Sequence, residues 1–172
     1  SQGLSISSST VRNVAFRHQQ DRGLHISGSS VVENCIFEGI GSDDGGAALS
    51  ATWGVRNARV SNNLFANNTN VAINWNENPS SGGTSYIDHN TLINTGTIDG
   101  YGGQGPWKAA GIIVANGTNV HIEYNRIDST GYAGIILGDD GNFAEYNVID
   151  NFFFNDTATT EIYTNCSYST IR

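Results

Sequence analysis

The sequence predicts an all-β solenoid of short parallel strands, about six rungs long. Three observations carry this. First, one unit is written twice in succession. Ala110-Gly111-Ile112-Ile113-Val114 and then Ile122-Glu123-Tyr124-Asn125-Arg126-Ile127-Asp128 return as Ala133-Gly134-Ile135-Ile136-Leu137 and Ala144-Glu145-Tyr146-Asn147-Val148-Ile149-Asp150, with 22 residues between Asn125 and Asn147. A fixed period of this size marks a stack of repeats. Second, the apolar residues alternate with period two, as strands on a shared core require. Third, the 172 residues include 21 Gly, no Met and a single lysine, Lys108, a composition suited to short strands and tight turns.

The same unit recurs along the chain. Its second half places an apolar residue three positions before a special corner position and another two positions after it. The six members are Val11/Val14/Phe16, Val32/Cys35/Phe37, Val60/Asn63/Phe65, Ile87/Asn90/Leu92, Ile122/Asn125/Ile127 and Ala144/Asn147/Ile149. Ahead of each lies a short strand opened by Gly or Ala. These strands start at Gly3, Gly23, Ala47, Ala72, Gly111 and Gly134. No single unit can bury its apolar face, but stacking about 4.8 Å apart makes a continuous core. Phe16, Phe37, Phe65, Leu92, Ile127 and Ile149 are then expected above one another.

The Asn at the corner has two physical readings. Its amide tolerates a left-handed backbone, and stacked amides hydrogen-bond along a column. Val14 and Cys35 interrupt the ladder, and Cys35 reads as a small buried apolar residue rather than a nucleophile. The repeat domain spans 1–151. Residues 152–172 are set apart as a non-native tail, because 155–164, Asn-Asp-Thr-Ala-Thr-Thr-Glu-Ile-Tyr-Thr, resembles a translated sequencing-adapter oligonucleotide.

With these corners and strands, the chain resembles the right-handed parallel β-helices of the pectate-lyase-like superfamily. The resemblance covers about Leu4 to Asn151. It implies a single-stranded parallel β-helix with an Asn ladder, and a carbohydrate cleft along one sheet face. It does not imply one activity, since the fold carries lyases, hydrolases, epimerases and non-catalytic surface proteins.

Three units are longer than the minimal repeat, and loops on a rigid column are where function concentrates. The insertions run through 38–46, 76–85 and 94–109, and all flank the Gly- or Ala-opened strand. Asp44 and Asp43, with Glu77 and Asp99, are the candidate catalytic carboxylates. Groups one or two rungs apart lie about 4.8 or 9.6 Å apart, which brackets the carboxyl separations of glycosidases. The same Ser42-Asp43-Asp44-Gly45-Gly46 also reads as a plain turn. Lys108 and His25 are the candidates for β-elimination, which needs a base and a cation facing the uronate. Trp53, Asn74, Tyr101, Trp107 and Tyr132 are the candidate sugar-binding residues, the aromatics through their flat faces. Asp139 and Asp140 resemble part of a hard-cation loop without its full spacing. Ca2+ is the one cofactor the sequence admits, and no other is implied.

The expected function is a secreted or cell-surface carbohydrate-active enzyme. Hydrolysis of a polysaccharide leads, since acids there outnumber bases. A calcium-dependent polysaccharide lyase and a non-catalytic glycan-binding adhesin are the alternatives. The formal net charge of −8 argues against nucleic acid as a partner, since phosphate binding needs a basic stripe, and no apolar run is long enough to span a membrane.

Overall fold

The computed structural model describes residues 2–41, 46–52, 54–76, 82–97, 109–117, 119–138, 141–152, 162–164 and 170–171. The first rung is β1 (Gln2–Ser7), β2 (Thr10–Arg12) and β3 (Ala15–Arg17). The second is β4 (Arg22–Ser27), β5 (Val31–Glu33) and β6 (Ile36–Glu38). The third is β7 (Leu49–Ala51), β8 (Arg59–Ser61) and β9 (Leu64–Asn68). The fourth is β10 (Ile73–Asn76), β11 (Ser85–Asp88) and β12 (Thr91–Thr95). The fifth is β13 (Ala110–Asn116), β14 (Val120–Glu123) and β15 (Arg126–Thr130). The sixth is β16 (Ala133–Leu137), β17 (Phe143–Glu145) and β18 (Val148–Phe152). Within the segment set apart in the sequence, β19 (Ile162–Thr164) pairs with β16 and β20 (Thr170–Ile171) pairs with β17.

Corresponding strands stack into three parallel sheets. Sheet A is β1-β4-β7-β10-β13-β16-β19, sheet B is β2-β5-β8-β11-β14-β17-β20, and sheet C holds the six strands from β3 to β18. The register follows the sequence repeat. Phe16, Phe37, Phe65, Leu92, Ile127 and Ile149 are consecutive partners in sheet C. The three phenylalanine rings stack at centroid distances of 4.9 and 4.6 Å. Leu24, Ile26, Leu49, Ile73, Ile112 and Ile135 line the inside of sheet A without solvent exposure. Register is pinned here because a one-residue slip would turn the whole apolar row outward.

The corner between sheets B and C holds the asparagine ladder. The Nδ2 of Asn63 donates to Asn90 Oδ1 at 3.0 Å, that of Asn90 to Asn125 Oδ1 at 3.0 Å, and that of Asn125 to Asn147 Oδ1 at 2.9 Å. Each of these oxygens also accepts the backbone N–H of the ladder residue one rung earlier. Cys35 takes the ladder place in the second rung. Its backbone N–H donates to Asn63 Oδ1, and its thiol lies 3.3 Å from Glu33 O. The side chain is buried, and burial pushes the thiol pKa up, so it is packing and not a nucleophile.

One expectation is corrected. The left-handed residue is not the ladder Asn but its predecessor. Asn13, Asn34, Asn62, His89, Tyr124 and Tyr146 all have φ between 54° and 57°. A bulky residue pays for that backbone, and stacking offsets part of the cost. His89 packs on Tyr124 at 5.1 Å and Tyr124 on Tyr146 at 5.0 Å. The ladder Asn is therefore selected for its amide, which meets buried backbone groups, and not for its tolerance of positive φ.

Candidate functional site

The outward face of sheet A carries one row of residues in register. From the first rung it reads Ser5, His25, Ser50, Asn74, Ile113 and Ile136. Four polar positions are followed by two aliphatic ones. Ile113 and Ile136 are each 1% exposed although they face away from the core. They pack with Ala47, Val71, Ala110 and Ala133, and Ala115 and Tyr132 lie against this second apolar cluster. The sixth rung and the fifth are thus closed on this face, and the polar part spans the first four rungs.

His25 is the best-defined group on the polar part. Its Nδ1 lies 2.9 Å from Ser5 Oγ and its Nε2 lies 2.5 Å from Thr52 Oγ1. Both ring nitrogens are held, one by each neighbouring rung. Burial, and then the positive charge of Arg22, lower the His25 pKa below the ordinary imidazole value. The ring is therefore neutral at neutral pH, with one nitrogen donating and the other accepting. Such a ring can take a proton and is fixed in direction.

A depressed pKa has a stability signature. The folded state binds fewer protons than the unfolded chain between the folded pKa and the ordinary value of about 6.5. The His25 contribution is full above about pH 6.5 and is lost as pH falls through the folded value. We expect the His25 ring proton, followed by NMR, to titrate below pH 6.5, and Arg22→Gln to raise its midpoint. As pH falls from about 6.5 to that midpoint, stability should fall more steeply in the wild type than in His25→Gln. Equal slopes would contradict the assignment.

Beside His25, the start of β4 meets the first insertion. Asp21 Oδ1 accepts the Gly46 N–H at 3.1 Å, and Arg22 Nε lies 3.7 Å from Asp21 Oδ2. On the fourth and fifth rungs Asn116 Nδ2 donates to Asn76 Oδ1 at 2.5 Å, just past the strand positions of Asn74 and Ile113.

The sequence-derived candidates divide as follows. His25 and Asn74 lie in the same polar row, two rungs apart. Tyr132 does not join them. It precedes β16, its backbone N–H donates to Ala109 O at 2.6 Å, and it packs on the apolar cluster. Four rungs separate it from His25, roughly 19 Å at the rung spacing. Asp43, Asp44, Trp53, Glu77, Asp99, Tyr101, Trp107, Lys108, Asp139 and Asp140 lie outside the described residues. Trp75 is fully buried, as its strand parity predicts. Among the described residues no group of three or more His, Cys, Asp or Glu is placed to hold a metal ion, and no helix is long and apolar enough to cross a membrane. Ser5, Thr52 and Arg22 were not legible as site residues. The signal for Ser5 was its place one repeat before His25.

Three parallel sheets wound around one apolar core, with a buried ladder at one corner, define a β-helix. The sequence model of the right-handed β-helix region matches residues 2–172, and the chain belongs to that family. No curated protein and no solved structure matches the chain.

Proposed function

We propose that this β-helix is a carbohydrate-active enzyme that lays an extended polysaccharide along the outward face of sheet A and hydrolyses it there. One observation carries the reading. The polar row Ser5–His25–Ser50–Asn74 is continuous over four rungs, and three long connections each border a strand of this same sheet. They enter β7, leave β10 and enter β13. Asp43, Asp44, Glu77 and Asp99 belong to those connections. A carboxyl pair drawn from adjacent or next-adjacent rungs has the separation that acid–base hydrolysis of a glycosidic bond uses. Trp53, Tyr101 and Trp107, on or beside the same connections, supply planes for sugar rings. The compartment this implies is the cell surface or beyond it.

A β-elimination reading is favoured by one specific feature. His25 is neutral and feels the charge of Arg22, so a base and a cation already stand together. Lys108, or a calcium ion, would add to the neutralisation of a uronate carboxylate.

The test is a panel of neutral and acidic polysaccharides, with reducing ends and the absorbance of unsaturated sugars read together. Reducing ends without unsaturation are the expected result. Asp44→Asn should then lower turnover by about 100- to 10,000-fold, the range of general acid–base catalysis. Unsaturated products, abolished by Lys108→Ala or by chelation, would replace hydrolysis with elimination. Retention of a glycan with neither product would leave a binding scaffold.

A further inference from the structure

We propose that the polar face of sheet A is blocked at its fifth rung, so that it acts on chain ends and releases short pieces rather than cutting within a chain. This rests on the reading of that face as a carbohydrate-cleaving site. The outward row changes character between the fourth and fifth rungs. Asn74 pairs directly with Ile113, and Ile113 with Ile136. Asn74 is half-buried, whereas the two isoleucines are each 1% exposed. A side chain on the outer face of a sheet stays in contact with solvent unless other atoms stand over it. The surface over the fifth and sixth rungs is therefore raised above the row that leads to it. Part of the raised layer is identified: Val71, Ala110 and Ala133 pack with the isoleucines, and Tyr132 lies against them. Ser50 is also buried, but it is a short side chain flanked by His25 and Asn74 in its own row.

The boundary also carries hydrogen-bonding groups. Asn76 and Asn116 are exposed at the ends of β10 and β13, and the Asn116 amide donates to Asn76 Oδ1. Each amide holds two donors and an oxygen with two lone pairs, so one mutual bond leaves the pair with groups to offer a ligand. A polysaccharide laid along the row stops where the surface rises, and its last sugar rests beside Asn74, Asn76 and Asn116. That sugar has a free hydroxyl where an internal unit carries the next linkage. A site built to hydrogen-bond a hydroxyl discriminates strongly against a group that lacks it. The length of the piece released follows from the stacking. Ser5 and Ile113 are four rungs apart, roughly 19 Å. A bond broken over this row therefore frees a piece of at most about four sugar units.

The test treats xylan, galactan and polygalacturonate with the full chain. Early products are sized by mass spectrometry and the remaining polymer by size exclusion. A short product of constant size should appear from the first sample, while the polymer peak hardly moves. A ladder of long products with a rapid fall in polymer size overturns the inference and leaves the cleaving site standing. No product from any of the three overturns the cleaving site, and the inference with it. Two variants probe the boundary itself. Tyr132→Ala thins the raised layer and should lengthen and mix the early products. Asn116→Ala should lower kcat/KM by about tenfold, the worth of one hydrogen bond, with its thermal midpoint kept. Unchanged product sizes in the first, or an unchanged rate in the second, overturn the roles given to these residues. If Tyr132→Ala does not fold, the wild-type product sizes and Asn116→Ala decide.

Discussion

Asn90→Ala is expected to lower the unfolding free energy by about 4 kcal/mol, measured by urea denaturation. The amide sits at the middle of the ladder and is fully engaged. Its Nδ2 donates to Val60 O at 2.9 Å and to Asn125 Oδ1 at 3.0 Å. Its Oδ1 accepts from the Asn63 N–H and Asn63 Nδ2, both at 3.0 Å. Removing it strands several polar groups in a site that is 1% exposed. Each buried donor or acceptor left without a partner costs about 1–3 kcal/mol, and partial relaxation keeps the sum below the maximum. A small domain holds only about 5–15 kcal/mol in total. The reverse substitution tests the same logic. Cys35→Asn would offer an Nδ2 where the thiol now contacts Val11 O at 3.8 Å and Glu33 O at 3.3 Å. It should gain about 1 kcal/mol, the net worth of an ordinary hydrogen bond. An unchanged urea midpoint for Asn90→Ala would mean that water fills the corner and the ladder is ornamental to stability.

How far the molecule was legible from its sequence follows from where information is periodic. The stack from Phe16 to Ile149 was readable because strand parity and a single core leave one register. The ladder was readable from four Asn at equal places in the repeat. The left-handed corner was misplaced by one residue, because His89, Tyr124 and Tyr146 carry none of the glycine or asparagine signal of such a backbone. On the candidate site, His25 and Asn74 emerged from parity alone. The hydroxyls that hold His25 did not. Ser5 and Thr52 lie 20 and 27 residues away in sequence, and only the wound register brings them to the ring. Tyr132 groups with the sugar-binding aromatics on sequence because an aromatic beside a strand looks the same whether it meets sugar or an apolar cluster. The candidate acids stand in aperiodic connections, where composition is the whole signal.

Trp75→Ala is the second large effect, at about 3–5 kcal/mol, the usual cost of removing a large aromatic from a core. Trp75 is the largest of the fully buried side chains among the described residues. Its register neighbours are Ala51 and Val114. A small residue on one side cannot collapse into the space, so the cavity should persist rather than close. Gly117 marks how tightly the indole is held, since a Cβ there would lie 3.3 Å from Trp75 Cδ1. The loss reaches the surface because Trp75 sits between Asn74 and Asn76 on β10, and the register to β13 shifts between Trp75 and Asn76. On the proposed function, glycan retention should therefore weaken in Trp75→Ala even well below its unfolding midpoint, and recover in Trp75→Phe. Trp75 and Asn90 also share the fourth rung. In a solenoid each rung contacts only its neighbours, so a rung loosened by one substitution has less left to lose. The double variant should cost clearly less than the two single costs added. Full additivity would mean that the core side and the ladder side of one rung melt independently.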